Sequence, residues 1–150
     1  MRAKGAGIKV VVFRFLKGRE TSEDKILKKF DINVYKDQSS EKFVIQMNEE
    51  EFKKTKEELN KTIKKLKKIF NSYEMIILDE FIDLAAENVN LMSEDEIISI
   101  IESLGDDKEI LISGHTKLEK LFKKADLITE YTPTKHYFEQ GIKARKGIEY

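Results

Sequence analysis

The sequence predicts an α/β domain in which helices flank a mostly parallel sheet. Three apolar runs, at residues 9–16, 74–79 and 109–113, are continuous rather than alternating in polarity. That pattern is typical of strands that are covered on both faces. Helical patterns separate the runs, and strands that alternate with helices favour a parallel sheet. The length of 150 residues predicts a single domain, residues 1–150.

Two helices are well marked in the sequence. The first is predicted over residues 49–70, where apolar residues recur at helical spacing among lysines and glutamates. Its lysines favour a solvated face over a nucleic-acid contact, because glutamates are interleaved with them. The second helix begins after Ser93, which forms a capping box with Glu96, and ends at Gly105, where left-handed backbone geometry is expected.

Shorter elements complete the predicted fold. Ser22 is expected to cap a short helix, a brief strand follows at residues 32–35, and residues 36–42 are predicted to form a polar loop. A short helix is predicted at residues 117–124, and a last short strand at residues 126–129.

Composition excludes several classes of protein. Lysine plus arginine equal aspartate plus glutamate at 28 each, so no overall field attracts the chain to nucleic acid or to an anionic membrane. The absence of cysteine excludes disulfides and a cysteine nucleophile, and is compatible with a reducing cytoplasm. No run reaches the roughly 18 apolar residues of a membrane span. We therefore expect a cytoplasmic protein without a nucleic-acid or membrane partner.

Polar residues follow two of the predicted strands. Asp79 and Glu80 end an apolar strand in the form of a Walker B element, whose carboxylates hold magnesium beside a phosphate chain. Capping or solvation of the next segment explains the same acids equally well. Ser113, Gly114 and His115 follow the next strand, so a hydroxyl and an imidazole are expected at the same sheet edge. A turn without a function is the alternative there.

The tail at residues 135–150 mixes basic, aromatic and glycine residues without a helical period. By itself it fits either a disordered basic end or an anion-binding flap. Its order, KHYFEQGIKARKGIEY, is similar to the closing signature of the P-loop corrinoid adenosyltransferases. The resemblance extends to residues 10–18, 78–80, 113–115 and 125–130. It implies a RecA-like P-loop fold and a homodimer.

The resemblance implies transfer of the 5′-deoxyadenosyl group of ATP to cobalt(I) of a reduced corrinoid, with release of triphosphate. ATP and the corrinoid would be the substrates, magnesium would neutralise the triphosphate, and a flavin-type reductase would supply the electron. No catalytic side chain is implied, since cobalt is the nucleophile. A non-catalytic corrinoid- or nucleotide-binding relic is an alternative. A P-loop relative that hydrolyses ATP is another, which the matched tail disfavours.

The same resemblance assigns a metal site and a corrinoid site. Glu80, with Asp79 beside it, would serve magnesium. Phe43 and Ile45 stand at the positions of an F-x-W pair whose rings press on the lower face of the corrinoid. Ile45 replaces the tryptophan, so displacement of the lower ligand would be weaker or would be carried by neighbours such as Met47.

Four residues are implied as contacts of ATP: Arg2, Arg14, Ser113 and His115. Arg2 matches an arginine that borders the adenosine. Arg14 replaces a family glutamine, and His115 replaces a family arginine, so the details of these contacts differ from the family pattern.

The family's phosphate loop, GNGKGKTT, and its first strand are missing from these residues. Residues 1–7 resemble the end of the helix after that loop, which favours a misassigned start or a trimmed sequence over a natural loss. We expect the missing strand to leave two neighbouring strands unpaired inside the sheet. For residues 1–150 alone we expect low solubility or association through the open sheet edges, weak or absent binding of ATP, and no adenosyl transfer.

Overall fold

The computed structural model describes residues 1–18, 21–38 and 40–148. The strands are β1 (Val10–Arg14), β2 (Asn33–Lys36), β3 (Met75–Asp79) and β4 (Glu109–Ile112). The α-helices are α1 (Arg2–Gly5), α2 (Ser22–Lys29), α3 (Glu49–Ile69), α4 (Glu94–Glu102) and α5 (Glu119–Phe122). Four 3-10 turns lie at Val44–Gln46, Phe70–Ser72, Phe81–Ala85 and Tyr137–Gln140. The predicted α/β class is confirmed.

The four strands form one parallel sheet in the order β2-β1-β3-β4. The pairing of β1 with β3 runs from Val10 opposite Met75 to Arg14 opposite Asp79. No gap therefore lies between β1 and β3, and the expectation that a missing strand leaves two strands unpaired stays a prediction. Strands β1 and β3 each have five residues and pair along their whole extent. In the described sheet, β2 and β4 form the two edges.

Both faces of β1 are covered, which explains its continuous apolar run. Burial alternates along β3 and β4, so the expectation that these strands are fully covered on both faces is wrong. Val11 and Phe13 of β1 face a large core that includes Leu59 and Leu66 of α3 and Ile97 of α4. The opposite face of β1 packs into a smaller apolar cluster to which α2 contributes. Every residue of β1 is buried. The strand therefore has no solvent face that would require an alternating pattern.

Helix caps agree with the sequence at one helix and differ at another. The capping box of Ser93 and Glu96 is present, with the Glu96 amide 3.2 Å from the Ser93 hydroxyl. For α2, the prediction of Ser22 as the cap is wrong, because Thr21 has an acid three residues ahead of it. The amide of Thr21 donates to Asp24 at 3.0 Å, which completes the reciprocal capping box.

The predicted strand at residues 126–129 is wrong, because this segment has no strand partner among the described residues. The edge strand β4 pairs only with β3, and all of residues 123–148 are exposed. Leu127 and Ile128 are among the exposed apolar side chains. The ends of the matched tail, Glu149 and Tyr150, lie outside the described residues. None of the described helices combines the length and apolarity needed to cross a bilayer.

Candidate functional site

The carboxyl ends of the three adjacent strands β1, β3 and β4 bring polar residues together. Arg14 lies opposite Asp79 in the sheet, and Ser113 directly follows β4. The Ser113 hydroxyl donates to Oδ1 of Asp79 at 2.8 Å. The same hydroxyl accepts a hydrogen bond from the amide of Glu80 at 3.2 Å. The structure therefore joins three of the predicted site residues, Asp79, Glu80 and Ser113, by direct hydrogen bonds.

Glu80 directs its side chain through an unusual backbone conformation. Its φ of 59° and ψ of 22° lie in the left-handed region, which residues with a side chain seldom adopt. The 3-10 turn Phe81–Ala85 starts immediately after it. This kink ends β3 sharply and places the carboxylate of Glu80 beside that of Asp79.

A lysine that the sequence did not single out bridges the two acids. The ammonium of Lys17 is 3.2 Å from Oδ2 of Asp79 and 3.1 Å from Oε1 of Glu80. Burial alone would lower the pKa of Lys17. The hydrogen bond and charge of Glu80, with those of Asp79, outweigh burial and raise that pKa. The two carboxylates thus converge on one position that is occupied by a cation.

This convergence allows a test of whether magnesium fits. The described residues contain no group of three or more histidines, cysteines and acids that could hold a metal. Asp79 and Glu80 are the adjacent carboxylates that would hold the metal at this edge. Magnesium is ordinarily held by one or two carboxylates, with water and phosphate oxygens completing its octahedron. The donor set fits magnesium that arrives with a phosphate chain.

The backbone of the loop that carries Lys17 is held by a hydrogen bond to a buried acid. The amide of Leu16, a residue with φ of 58°, donates to Oδ1 of Asp37 at 3.0 Å. Asp37 is 1% exposed, and its Oδ2 has no hydrogen-bond partner among the residues that the structure describes. Burial raises the pKa of Asp37 to about 7, against the lowering effect of the Leu16 amide. The charges of Glu58 and Glu80 raise it further.

A second buried acid holds the loop after β4. One oxygen of Asp83 accepts hydrogen bonds from the amides of His115 and Thr116 and from the Thr116 hydroxyl, each at 2.8 Å. Burial by itself would raise the pKa of Asp83, but these bonds from Thr116 and His115 hold it below its usual value. The other oxygen lies 3.1 Å from Nδ1 of His115. The imidazole is 90% exposed above the sheet edge.

Gly114 is required for this loop because no side chain fits there. A Cβ atom at Gly114 would lie 2.3 Å from Cγ1 of Ile82, and 3.1 Å from the carboxylate of Asp83. The close approach lets the Ser113 hydroxyl reach Asp79 and the amides of His115 and Thr116 reach Asp83. The Ser-Gly-His sequence therefore follows from the geometry of the turn as well as from any contact with a ligand.

Arg14, a predicted ATP contact, lies inside the protein rather than on the open edge. Its side chain is 7% exposed, and its guanidinium pairs with Asp24 at 2.9 Å and Glu23 at 3.1 Å. It also donates to the hydroxyl of Thr21. Its Nε lies 3.7 Å from Asp79. Arg14 thus links the start of α2 to Asp79 at the carboxyl end of β3. A contact between Arg14 and ATP stays a prediction.

The structure does not bring Arg2 to this edge. Arg2 is exposed on α1, and the chain enters the amino end of β1 from that helix. The acid pair and Ser113 lie at the carboxyl ends of the strands, the opposite edge of the sheet. A contact between Arg2 and adenosine stays a prediction.

The predicted corrinoid pair is strongly exposed. Phe43 and Ile45 are 68% and 72% exposed on the 3-10 turn Val44–Gln46, just before α3. Directly after them in the chain comes a shallow groove of about 390 Å³. The groove is lined by Met47, Asn48, Glu49, Phe52, Val89 and Asn90. Exposed apolar side chains beside a partly apolar groove are suited to a flat apolar ligand.

Lys17, Asp37 and Asp83 are the residues at the site that sequence reasoning missed. Lys17 directly follows the apolar run at residues 9–16, and Asp37 lies in the predicted polar loop at residues 36–42. Asp83 carried one signal: an acid three residues after Glu80, in the segment that follows a strand-end acid pair, is placed to bond a neighbouring loop. Asp37 carried no signal, because its burial depends on packing between β2, α3 and the loop after β1.

The fold and the edge define a class of protein: an α/β domain whose parallel sheet presents a cation-binding pair of acids at the carboxyl ends of its strands. The sequence model of the family described as ATP:corrinoid adenosyltransferase BtuR/CobO/CobP matches residues 1–150, and the chain belongs to that family.

Individual relatives agree at low identity. A corrinoid adenosyltransferase of Pseudomonas aeruginosa is 26% identical over 150 residues, which cover 99% of this chain and 73% of the relative. The corrinoid adenosyltransferase CobA of Salmonella typhimurium is 30% identical over 77 residues, covering 51% of this chain and 38% of the relative. A corrinoid adenosyltransferase of Escherichia coli K12 is 28% identical over 80 residues, 53% of this chain and 40% of the relative.

Proposed function

We propose that this chain serves in the transfer of the 5′-deoxyadenosyl group from ATP to the cobalt of a reduced corrinoid. The observation that carries the proposal is the convergence of Asp79 and Glu80 on one cation position at the carboxyl edge of the sheet. In a member of the adenosyltransferase family, that position suits the metal that accompanies the triphosphate.

The chemistry requires little covalent help from the protein. The electron pair of cobalt(I) attacks C5′ of the ribose, a cobalt–carbon bond forms, and the bond from C5′ to the phosphate oxygen breaks. Triphosphate leaves with the bonding pair, and cobalt is formally oxidised to cobalt(III). The protein's tasks are to align cobalt with C5′ and to offset the charge of the leaving group.

The carboxyl edge of the sheet, where Asp79 and Glu80 lie, would bind the nucleotide. Asp79 and Glu80 would hold magnesium, which neutralises negative charge on the triphosphate when it is bound. Ser113 fixes the rotamer of Asp79 through the 2.8 Å hydrogen bond. His115, on the loop held by Asp83, presents an exposed imidazole above the same edge. Because Nδ1 faces the carboxylate of Asp83, Nε2 of the neutral ring is free to accept a hydrogen bond from a ribose hydroxyl, and the protonated ring would donate to a phosphate oxygen.

Phe43 and Ile45 serve the corrinoid. Both are exposed and apolar, so contact with the lower face of the macrocycle would remove them from water. An apolar surface on that face also excludes water and a lower axial ligand from cobalt. Cobalt(I) does not bind a lower axial ligand, so exclusion of that ligand favours reduction of the metal to cobalt(I). The groove beside Met47 and Phe52 extends the apolar contact area.

Further parts of the proposal rest on the family resemblance alone. The electron that produces cobalt(I) comes from a separate flavin-type reductase, because protein side chains do not donate electrons at so low a potential. The working form is a homodimer. A reduced corrinoid survives best in a reducing compartment, so the cytoplasm is the proposed location.

The test compares three activities of the same protein. The 150-residue chain, and a form extended upstream by the family's first strand and its GNGKGKTT loop, are given magnesium ATP and a chemically reduced corrinoid. The proposal predicts that the extended form produces adenosylcorrinoid and triphosphate in equal amounts. Release of ADP and phosphate without an adenosylcorrinoid would indicate a hydrolase instead. Corrinoid binding without any product would indicate a binding protein.

A further inference from the structure

Lys17 lies where a metal ion would lie. Its ammonium is within 3.2 Å of a carboxylate oxygen of both Asp79 and Glu80, and its side chain is 31% exposed. Both acids are also partly shielded, at 27% and 26% exposure. Two adjacent carboxylates repel each other when no cation stands between them. Lys17 removes that repulsion without a metal.

The loop that carries Lys17 is held in this position by its backbone. The amide of Phe15 donates to the carbonyl of Asp79 at 2.9 Å, which extends the pairing of the sheet past the end of β1. The next amide, that of Leu16, is bonded to the buried Asp37. Leu16 takes a left-handed φ of 58°, which turns the chain immediately before Lys17. The direction of Lys17 is therefore set by hydrogen bonds that two preceding backbone amides donate. Neither bond involves the side chain of Lys17.

We propose that Lys17 is an internal counter-ion that holds the cation position between Asp79 and Glu80 until a divalent metal arrives with a phosphate chain. The inference rests on the proposed function and adds a regulatory role for a residue of the same site. An ammonium and a divalent ion cannot share the position, because their charges repel and both use the same oxygens. Metal binding thus requires displacement of Lys17. Phosphate oxygens offer the displaced ammonium a new partner, so metal and phosphates bind together more readily than the metal alone.

A purely structural salt bridge makes a different prediction. If Lys17 only stabilised the fold, its removal would leave metal affinity unchanged or would weaken it through disorder of the acids. As a counter-ion, Lys17 lowers metal affinity, and its removal must raise it. The sign of the change in affinity therefore separates the two roles.

The experiment titrates MnCl2, without nucleotide, into the 150-residue chain, and follows bound manganese by electron paramagnetic resonance. Lys17→Met keeps the length of the side chain and removes its charge, so manganese affinity is expected to rise about tenfold or more. Lys17→Arg keeps the charge and is expected to match the parent. Lys120→Met is the matched control, because Lys120 pairs with a single exposed acid, Asp95, at 2.8 Å. Its affinity should equal that of the parent.

Equal or weaker manganese binding by folded Lys17→Met, including no detectable binding by parent and variant alike, overturns the proposal. Folding is checked by circular dichroism, and Lys17→Gln replaces Lys17→Met if the latter fails to fold. The adenosylcorrinoid assay tests the proposed function separately. Product formation together with unchanged manganese affinity would remove the counter-ion role and leave the proposed function standing.

Discussion

Ser113 and Asp79, which are 34 residues apart in the chain, are joined by a hydrogen bond of 2.8 Å from the serine hydroxyl to Oδ1 of the aspartate. The bond crosses from the end of β4 to the end of β3. The same hydroxyl accepts from the amide of Glu80, so one serine orients both acids of the candidate metal site. Parallel pairing of β3 with β4 brings these groups together.

Ser113→Ala tests that relationship. The substitution removes a donor from Asp79 and the acceptor of the Glu80 amide in a partly buried region. We expect the free energy of unfolding to fall by about 1 to 2 kcal/mol, as for the loss of a partner that leaves a shielded polar group unsatisfied. Chemical denaturation gives the value. Ser99→Ala, at an exposed position of α4, is the control and should change stability little. An equal effect of the two substitutions would refute the role of the Ser113 hydroxyl.

Asp37 predicts a dependence of stability on pH. In the folded protein, burial raises the pKa of Asp37 to about 7, whereas the ordinary value is 3.8. Below pH 4 the acid is protonated in both states and has no effect. Between pH 4 and 7 the unfolded chain releases the proton while the folded protein retains it, so stability falls as pH rises. Above pH 7 the full loss is reached, on the order of 4 kcal/mol at about 1.4 kcal/mol per pKa unit.

Asp37→Asn isolates this effect. The amide keeps an oxygen for the Leu16 amide but does not titrate. We expect the variant to be more stable than the parent at pH 8, and the advantage to shrink towards pH 4. Thermal unfolding over that range is the measurement. Asp126→Asn, at an exposed position, controls for the loss of one negative charge. A difference between Asp37→Asn and the parent that does not vary with pH would contradict the raised pKa.

Substitutions at Phe43 and Ile45 are expected to change corrinoid binding and cobalt(II) reduction in opposite directions. Phe43→Ala removes an exposed ring and should weaken corrinoid binding about tenfold, in proportion to the apolar area lost from the contact. It should impair reduction of cobalt(II) far more than it affects ATP binding. Ile45→Trp restores the ring of the family pattern and should ease that reduction. Absorption spectra of the bound corrinoid report both effects.

Phe30→Ala provides the control for this pair. Phe30 is 46% exposed at the end of α2, a different element from the 3-10 turn that follows Phe43. Its truncation should leave the corrinoid spectra unchanged. If Phe43→Ala and Ile45→Trp bind and reduce the corrinoid as the parent does, this turn is not the corrinoid site.

The sequence predicted the central strand β1 well because that strand is covered on both faces. The residues of β1 are all buried, and burial of that kind leaves a continuous apolar run that needs no knowledge of the partner strand. The helix after Ser93 was predicted because its capping box is local, within three residues. The pair Asp79 and Glu80 was found for the same reason: the acids are adjacent and end an apolar run.

Contacts distant in sequence could not be predicted in this way. Lys17 meets Asp79 across 62 residues, and only the register of β1 against β3 brings them together. The burial of Asp37 likewise depends on how α3 packs over the sheet. For residues 126–129 the sequence predicted a strand that the structure does not contain. An apolar pattern forms a strand only where a neighbouring strand is available to pair with it.

The most direct test of the account is the rate of adenosylcorrinoid formation by Glu80→Gln in the form extended upstream by the phosphate-loop segment. Glutamine keeps the size of the side chain and removes the charge that would face magnesium. The account predicts a fall in turnover of about 100-fold or more, with thermal stability and corrinoid binding nearly unchanged. Glu87→Gln, an exposed acid in the same region, should retain full turnover. Turnover of Glu80→Gln equal to that of the parent would contradict the account.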